Sequence, residues 1–159
     1  MKKYHLPNFL EGIVAQDTYD RWLHRKAVAH VRRDRRRGND TATISEYKMA
    51  IHKAVENSRG KDAYTNEELD WLLLSQYDNA QSRKSGRAYK KKFALLPSVD
   101  HVRVGKGAAD FKICAWRTND SKNDLSYEEF LKFCEKVIKA AHLPGASNHA
   151  SAASSCLKK

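Results

Sequence analysis

The stretch LLPSVDHVRVGKGAADFKICAWRTNDSKNDLS, residues 95–126, decides the fold of this chain. Two apolar runs of strand length, residues 93–102 and 111–116, flank a segment that contains two glycines. This pattern predicts an antiparallel β-hairpin. The polar run that follows begins a helical region, in which Ser126 and Glu129 form a capping-box pattern ahead of an apolar stripe. We therefore expect a hairpin followed by helical structure.

The sequence before the hairpin predicts helices. Apolar residues recur at helical spacing from about residue 17 until Gly38 interrupts them. Thr43 and Glu46 form a capping box that predicts a second helix, which ends near Gly60. Thr65 and Glu68 repeat that pattern and predict a further short helix. We interpret His24 and His30, on the first helix, as surface or helix-face residues in preference to ligands.

The predicted fold class is α+β, a mainly helical domain around a core of two strands and a helix at about residues 94–141. Residues 1–16 are predicted to be an N-terminal extension, and residues 17–143 the folded domain. Residues 144–159 are rich in Ser and Ala, without periodicity, and predict a disordered tail.

The charge of the chain favours a polyanion as its partner. It has 30 Lys and Arg against 19 Asp and Glu, a formal net charge of +11. Nucleic acid is the leading candidate, because basic side chains neutralise phosphates and steer association. The alternative is that these side chains form solvated helix faces. Two basic segments supply the predicted nucleic-acid-binding residues: Arg32, Arg33, Arg35, Arg36, Arg83, Lys84, Arg87, Lys90, Lys91 and Lys92.

The cysteines and the hydropathy pattern exclude other classes. Three cysteines without C-x-x-C spacing indicate neither a disulfide framework nor a structural zinc site. No window approaches the roughly 20 apolar residues of a membrane span, and no signal-peptide core is present. We therefore expect a cytoplasmic protein with reduced thiols and no membrane partner.

Asp100, His101 and Asn119 are the candidate residues for chemistry. Cutting a phosphodiester needs a base that activates water and a cation that stabilises the developing charge. A neutral imidazole at position 101 suits the base, and the amide oxygen of Asn119 suits a hard cation such as Mg²⁺. Because neighbouring strand residues face opposite sides, Asp100 and His101 share one site only at a strand end or a bulge.

These residues resemble those of the HNH, or ββα-metal, endonucleases, from about Leu95 to Glu129. The core motif is most similar to the zinc-free HNH domain of the RNA-guided CRISPR nucleases. The resemblance implies that Asp100 and Asn119 hold Mg²⁺, with Mn²⁺ or another divalent cation as alternatives, and that no structural zinc is present. It also implies that His101 is the general base and that Lys122 lies near the phosphate.

One position departs from the family pattern. The family has a middle Asn nine residues before the metal-binding Asn (119 − 110 = 9), and this chain has Asp110 there. In the family this Asn braces the loop carrying the catalytic His through side-chain hydrogen bonds, so the resemblance implies that Asp110 belongs to the catalytic set. Upstream, where zinc-containing relatives often have a Cys pair, we expect Tyr64, Leu69 and Trp71 to hold the region by packing alone.

The expected function is therefore that of a metal-dependent endonuclease that hydrolyses DNA, in restriction, phage biology or interbacterial antagonism. The alternative is a non-catalytic nucleic-acid-binding protein on the same scaffold, which the Asp110 departure permits. Duplex DNA is the expected substrate, although charge alone does not separate it from structured RNA. The sequence leaves open whether the chain is a monomer or a homodimer.

Overall fold

The computed structural model describes residues 4–102 and 110–142. Within these ranges the fold is α+β and mainly helical, as predicted. The elements in chain order are a 3₁₀ turn at Asn8–Leu10, α1 Gln16–Arg36, α2 Ile44–Ser58, a 3₁₀ turn at Trp71–Leu73, α3 Asn79–Lys92, β1 Pro97–His101, β2 Phe111–Ala115, α4 Trp116–Lys122 and α5 Tyr127–Ala141. The predicted tail, residues 144–159, lies outside the described residues.

The chain divides into two compact units, Met1–Ser121 and Lys122–Lys159. In the first unit α1 packs on α2, and α2 packs on β2. Their buried side chains form one core, and Leu10 and Val14 from the predicted N-terminal extension are part of it. In the described part of the second unit, α5 begins at the predicted capping box: the Ser126 side chain accepts the Glu129 N–H, and the Glu129 carboxylate accepts the Ser126 N–H. None of the helices in the described ranges has the length and apolar character of a membrane span.

The predicted antiparallel hairpin is confirmed. β1 pairs with β2 in continuous register from Pro97 opposite Ala115 to His101 opposite Phe111, without a bulge. Because strand side chains alternate, Ser98 and Asp100 lie on one face of the hairpin and His101 on the other. The loop that joins the strands, residues 103–109, lies outside the described residues.

The short helix expected at Thr65 is absent, and that prediction was wrong. The segment forms a loop in which Lys61 and Glu68 make an isolated β-bridge and Asn66 has φ of 60°. The Asp62 carboxylate accepts the N–H groups of Tyr64 and Thr65, which closes a turn in place of a helical first turn. At Thr43, by contrast, the side chain accepts the Glu46 N–H and α2 begins at the next residue.

Candidate active site and nucleic-acid interface

The structure brings Asn119 and the Asp100 face of the hairpin together. Asn119 lies on α4, which follows β2 directly, and its Nδ2 donates to Ser98 Oγ at 3.0 Å. Ser98 precedes Asp100 by two residues, so both side chains lie on the same face of β1. The amide nitrogen of Asn119 is thus used as a donor, and its carbonyl oxygen is the atom suited to a cation.

The donor set of this face fits a hard divalent cation. A carboxylate from Asp100 and an amide oxygen from Asn119 are ligands that Mg²⁺ accepts, with water and substrate phosphate at its other positions. Within residues 4–102 and 110–142 no group of three or more His, Cys, Asp or Glu side chains is arranged to hold a metal. Asp100 and Asn119 are the residues of this face that would hold such a cation.

The Asp62 carboxylate joins three segments of the chain by hydrogen bonds. Its Oδ2 accepts the Ala115 N–H at 2.8 Å and the Thr118 hydroxyl at 2.7 Å, and its Oδ1 accepts the N–H groups of Tyr64 and Thr65. The side chain is buried, with the whole residue 2% exposed. One carboxylate thus joins the upstream loop to the end of β2 and to α4. The Leu69 and Trp71 side chains are also buried, as expected for packing.

Tyr64 has a role that sequence reasoning did not assign. Its hydroxyl donates a short hydrogen bond to Asp100 Oδ2. Burial, together with that bond, raises the pKa of Tyr64, so the phenol stays protonated and remains a donor. Lys112 lies 5.3 Å from the centre of the Tyr64 ring. Tyr64 therefore orients the carboxylate that we predict to be a metal ligand.

His101 lies on the opposite face of the hairpin, toward α1 and α2. Its Nδ1 is 3.3 Å from Asp34 Oδ2, and its ring centre is 4.9 Å from that of Phe111. Burial lowers the pKa of His101, and the nearby Asp34 carboxylate opposes this effect in part. The imidazole is therefore neutral at neutral pH, the state that a general base requires.

Asp34 and His30 are buried on α1, although both fall in or near the basic run. Asp34 is 3% exposed, and the Tyr47 hydroxyl donates to its Oδ2 at 2.6 Å. His30 is buried on the inner face of α1, so of the two expected positions, surface or helix face, it has the second. Burial, and secondarily Arg33, lowers the pKa of His30 to about 3. The sequence signal was present, because both positions continue the apolar stripe of Trp22 at helical spacing.

Asp110 and Lys122 are the two other predicted catalytic residues. Asp110 is exposed just before β2, and its backbone oxygen accepts the Val102 N–H at 3.0 Å. Lys122 is the last residue of α4 and the first of the second unit, and its ammonium donates to the Leu125 carbonyl at 2.7 Å. The roles of Asp110 and Lys122 stay predictions.

The ten predicted nucleic-acid-binding residues are all exposed. On α1 the arginines point outward while Asp34 points inward. Arg35 donates to the Ala42 carbonyl at 3.1 Å and Arg33 to His30 Nδ1 at 2.7 Å. Within the described part of the chain, none of the ten forms an ion pair. Their charges are therefore available to phosphate groups.

The second basic segment is helical and is anchored by aromatic rings. It forms most of α3, which bends at Gly86. Ring centres of Tyr77, Tyr89 and Phe93 lie 4.8 to 5.5 Å apart, and Tyr77 is 6.0 Å from Trp116 at the start of α4. This cluster places the basic helix beside the helix that carries Asn119.

Comparison with known proteins gives no match: no family model, no curated protein and no solved structure is similar to this chain.

Proposed function

We propose that this chain is a metal-dependent endonuclease of the HNH type that hydrolyses phosphodiester bonds of DNA. The observation that carries the proposal is the placement of Asp100 and Asn119 on one face of a hairpin–helix unit whose first strand ends at His101. The exposed arginines and lysines of α1 and α3 support a DNA substrate, because they can neutralise backbone phosphates.

Each side chain has a distinct part in the proposed reaction. Asp100 and Asn119 hold Mg²⁺, or Mn²⁺ in its place, which supplies charge stabilisation at the phosphate and the leaving oxygen. Tyr64 keeps the Asp100 carboxylate oriented. His101 takes the proton of the attacking water through Nε2, because its Nδ1 is buried against Asp34. The proposal requires His101 Nε2 and the Asp100 face to meet at the end of β1.

One observation favours the alternative, a nucleic-acid-binding protein without activity. The register places Asp100 and His101 on opposite faces, without a bulge to bring them together. If the two side chains never reach one phosphate, the basic surface binds DNA but no cleavage follows. As part of the main proposal we place the protein in the cytoplasm, because the spacing of the three cysteines indicates no disulfide framework.

Plasmid cleavage separates the two functions. We expect the purified chain to nick or linearise supercoiled plasmid with Mg²⁺ or Mn²⁺ and to lose this activity with a chelator. Asn119→Ala should abolish the activity, whereas Asn79→Ala, an exposed amide at the start of α3, should retain it. Plasmid that is bound but left intact under every metal condition would establish the non-catalytic alternative.

A further inference from the structure

We propose that Asp34, from α1, is the positioning residue that orients the His101 imidazole. This inference rests on the proposed nuclease function for its catalytic meaning. The side chains of Asp34 and His101 are 4% and 5% exposed, and Asp34 Oδ2 lies 3.3 Å from His101 Nδ1. Among the described residues His101 Nδ1 makes no hydrogen bond, and because a buried polar atom is costly to leave unpaired, the facing Asp34 carboxylate is the group that can constrain it.

Asp34 is itself held in place by Tyr47. The Tyr47 hydroxyl donates to the same carboxylate oxygen at 2.6 Å, and both side chains are buried. Burial is the main reason that the pKa of Tyr47 is raised, so the hydroxyl remains protonated. The chain from Tyr47 through Asp34 to His101 thus runs from α2 through α1 to β1.

This arrangement selects one imidazole tautomer. A neutral imidazole has a single N–H, and a carboxylate beside Nδ1 accepts a hydrogen and offers none. The proton is therefore held on Nδ1, and Nε2 keeps the lone pair that a general base uses. Rings of Phe111 and Tyr47, with centres 4.9 and 6.3 Å from that of His101, limit its rotation.

A purely structural role for Asp34 is the competing explanation. The pair joins α1 to β1, so its removal can destabilise the fold without any effect on orientation. Asp110, the residue that the family resemblance assigns to bracing the His, is exposed just before β2, whereas Asp34 is buried beside His101. The two explanations differ in what they predict for the His101 tautomer and for kcat in a variant that stays folded.

The test is Asp34→Asn in the full chain, studied by long-range ¹H–¹⁵N NMR and by cleavage kinetics. The wild type should show His101 with the proton on Nδ1. The amide of the variant can donate to Nδ1, so the proton should move to Nε2, and kcat should fall by about 10- to 100-fold with KM unchanged. Asp40→Asn, an exposed carboxylate beyond α1, should change neither.

Every outcome decides the inference. A wild-type proton on Nε2, or a folded Asp34→Asn variant with unchanged tautomer and kcat, would overturn it. If Asp34→Asn fails to fold, Tyr47→Phe is measured instead. This variant should lower kcat and shift part of the His101 population to the tautomer with the proton on Nε2. An unchanged His101 tautomer and kcat would overturn the inference. If even the wild type leaves DNA intact, the nuclease proposal fails, while the NMR result still decides whether Asp34 orients His101.

Discussion

The two faces of β1 are supported by different parts of the chain. The Asp100 face is held from loop 61–68, where Asp62 bonds to Ala115 and Thr118 and Tyr64 bonds to Asp100. The His101 face is held from the two N-terminal helices, through Asp34 and Tyr47. In our proposal the metal ligands and the base are therefore held in place by separate parts of the chain. Helix α1 orients the base through Asp34 and binds DNA through its arginines.

The largest expected effect is on the cleavage rate and comes from replacing the two proposed metal ligands, Asp100 and Asn119. Asp100→Asn keeps an acceptor for Tyr64 but removes the charge, and Asn119→Ala removes the second oxygen. Each should lower the cleavage rate by about 10²-fold or more, because the phosphate is deprived of charge stabilisation. Calorimetric titration with Mn²⁺ should show weaker binding in both variants. Unchanged metal affinity in both would move the metal site elsewhere.

The next effect is on stability and concerns the support of that face. Asp62→Ala leaves buried donors at Ala115 and Thr118 without their acceptor and should lower the free energy of unfolding by about 2 kcal/mol or more. Glu67→Ala, which removes an exposed pair with Arg117 and an exposed hydrogen bond from Thr65, should have a smaller effect. Chemical denaturation measures both. Equal effects would mean that Asp62 does not brace the hairpin.

A weaker effect should follow from removing one hydroxyl. Tyr64→Phe keeps the ring but removes the bond to Asp100, and we expect metal affinity to fall by about 10-fold. Tyr77→Phe removes a hydroxyl that bonds to Ser82 in α3 and should leave metal affinity unchanged. Titration of both variants distinguishes orientation of Asp100 from packing. Wild-type affinity in Tyr64→Phe would assign this residue to packing alone.

The smallest expected effect is on DNA affinity and not on the cleavage rate. Neutralising Lys90, Lys91 and Lys92 to Gln should weaken DNA binding for all sequences. It should also reduce the slope of log affinity against log salt by up to about 0.9 for each phosphate that the variant no longer neutralises. The same change at three exposed lysines of α5, Lys132, Lys136 and Lys139, is the matched control for net charge. Equal slopes in the two triple variants would show that this end of α3 is a solvated face.

Local patterns predicted the hairpin and most helices, but not the contacts that support the candidate site. At Thr43 and Ser126 the side chain accepts the N–H of the residue three positions later, and a helix begins there. At Thr65 no helix begins, because Asp62 accepts the Tyr64 and Thr65 N–H groups and the Thr65 hydroxyl pairs with Glu67 in place of Glu68. Asp62 also bonds to Ala115, 53 residues away along the chain, and no local pattern encodes such a contact. The burial of Asp34 could have been predicted from the apolar stripe of α1. The arginines next to it in the sequence suggested an exposed segment instead.

The central claim is that both faces of β1 serve one reaction, and a double-mutant cycle tests it most directly. Single-turnover cleavage rates would be measured for His101→Ala, Asp100→Asn and the double variant. Residues that act together in one site show strongly non-additive effects. We predict that His101→Ala lowers the rate by about 10²-fold or more and that the double variant shows no further large decrease. Rates that fall by the product of the two single effects, or a His101→Ala variant that cleaves like the wild type, would contradict the account.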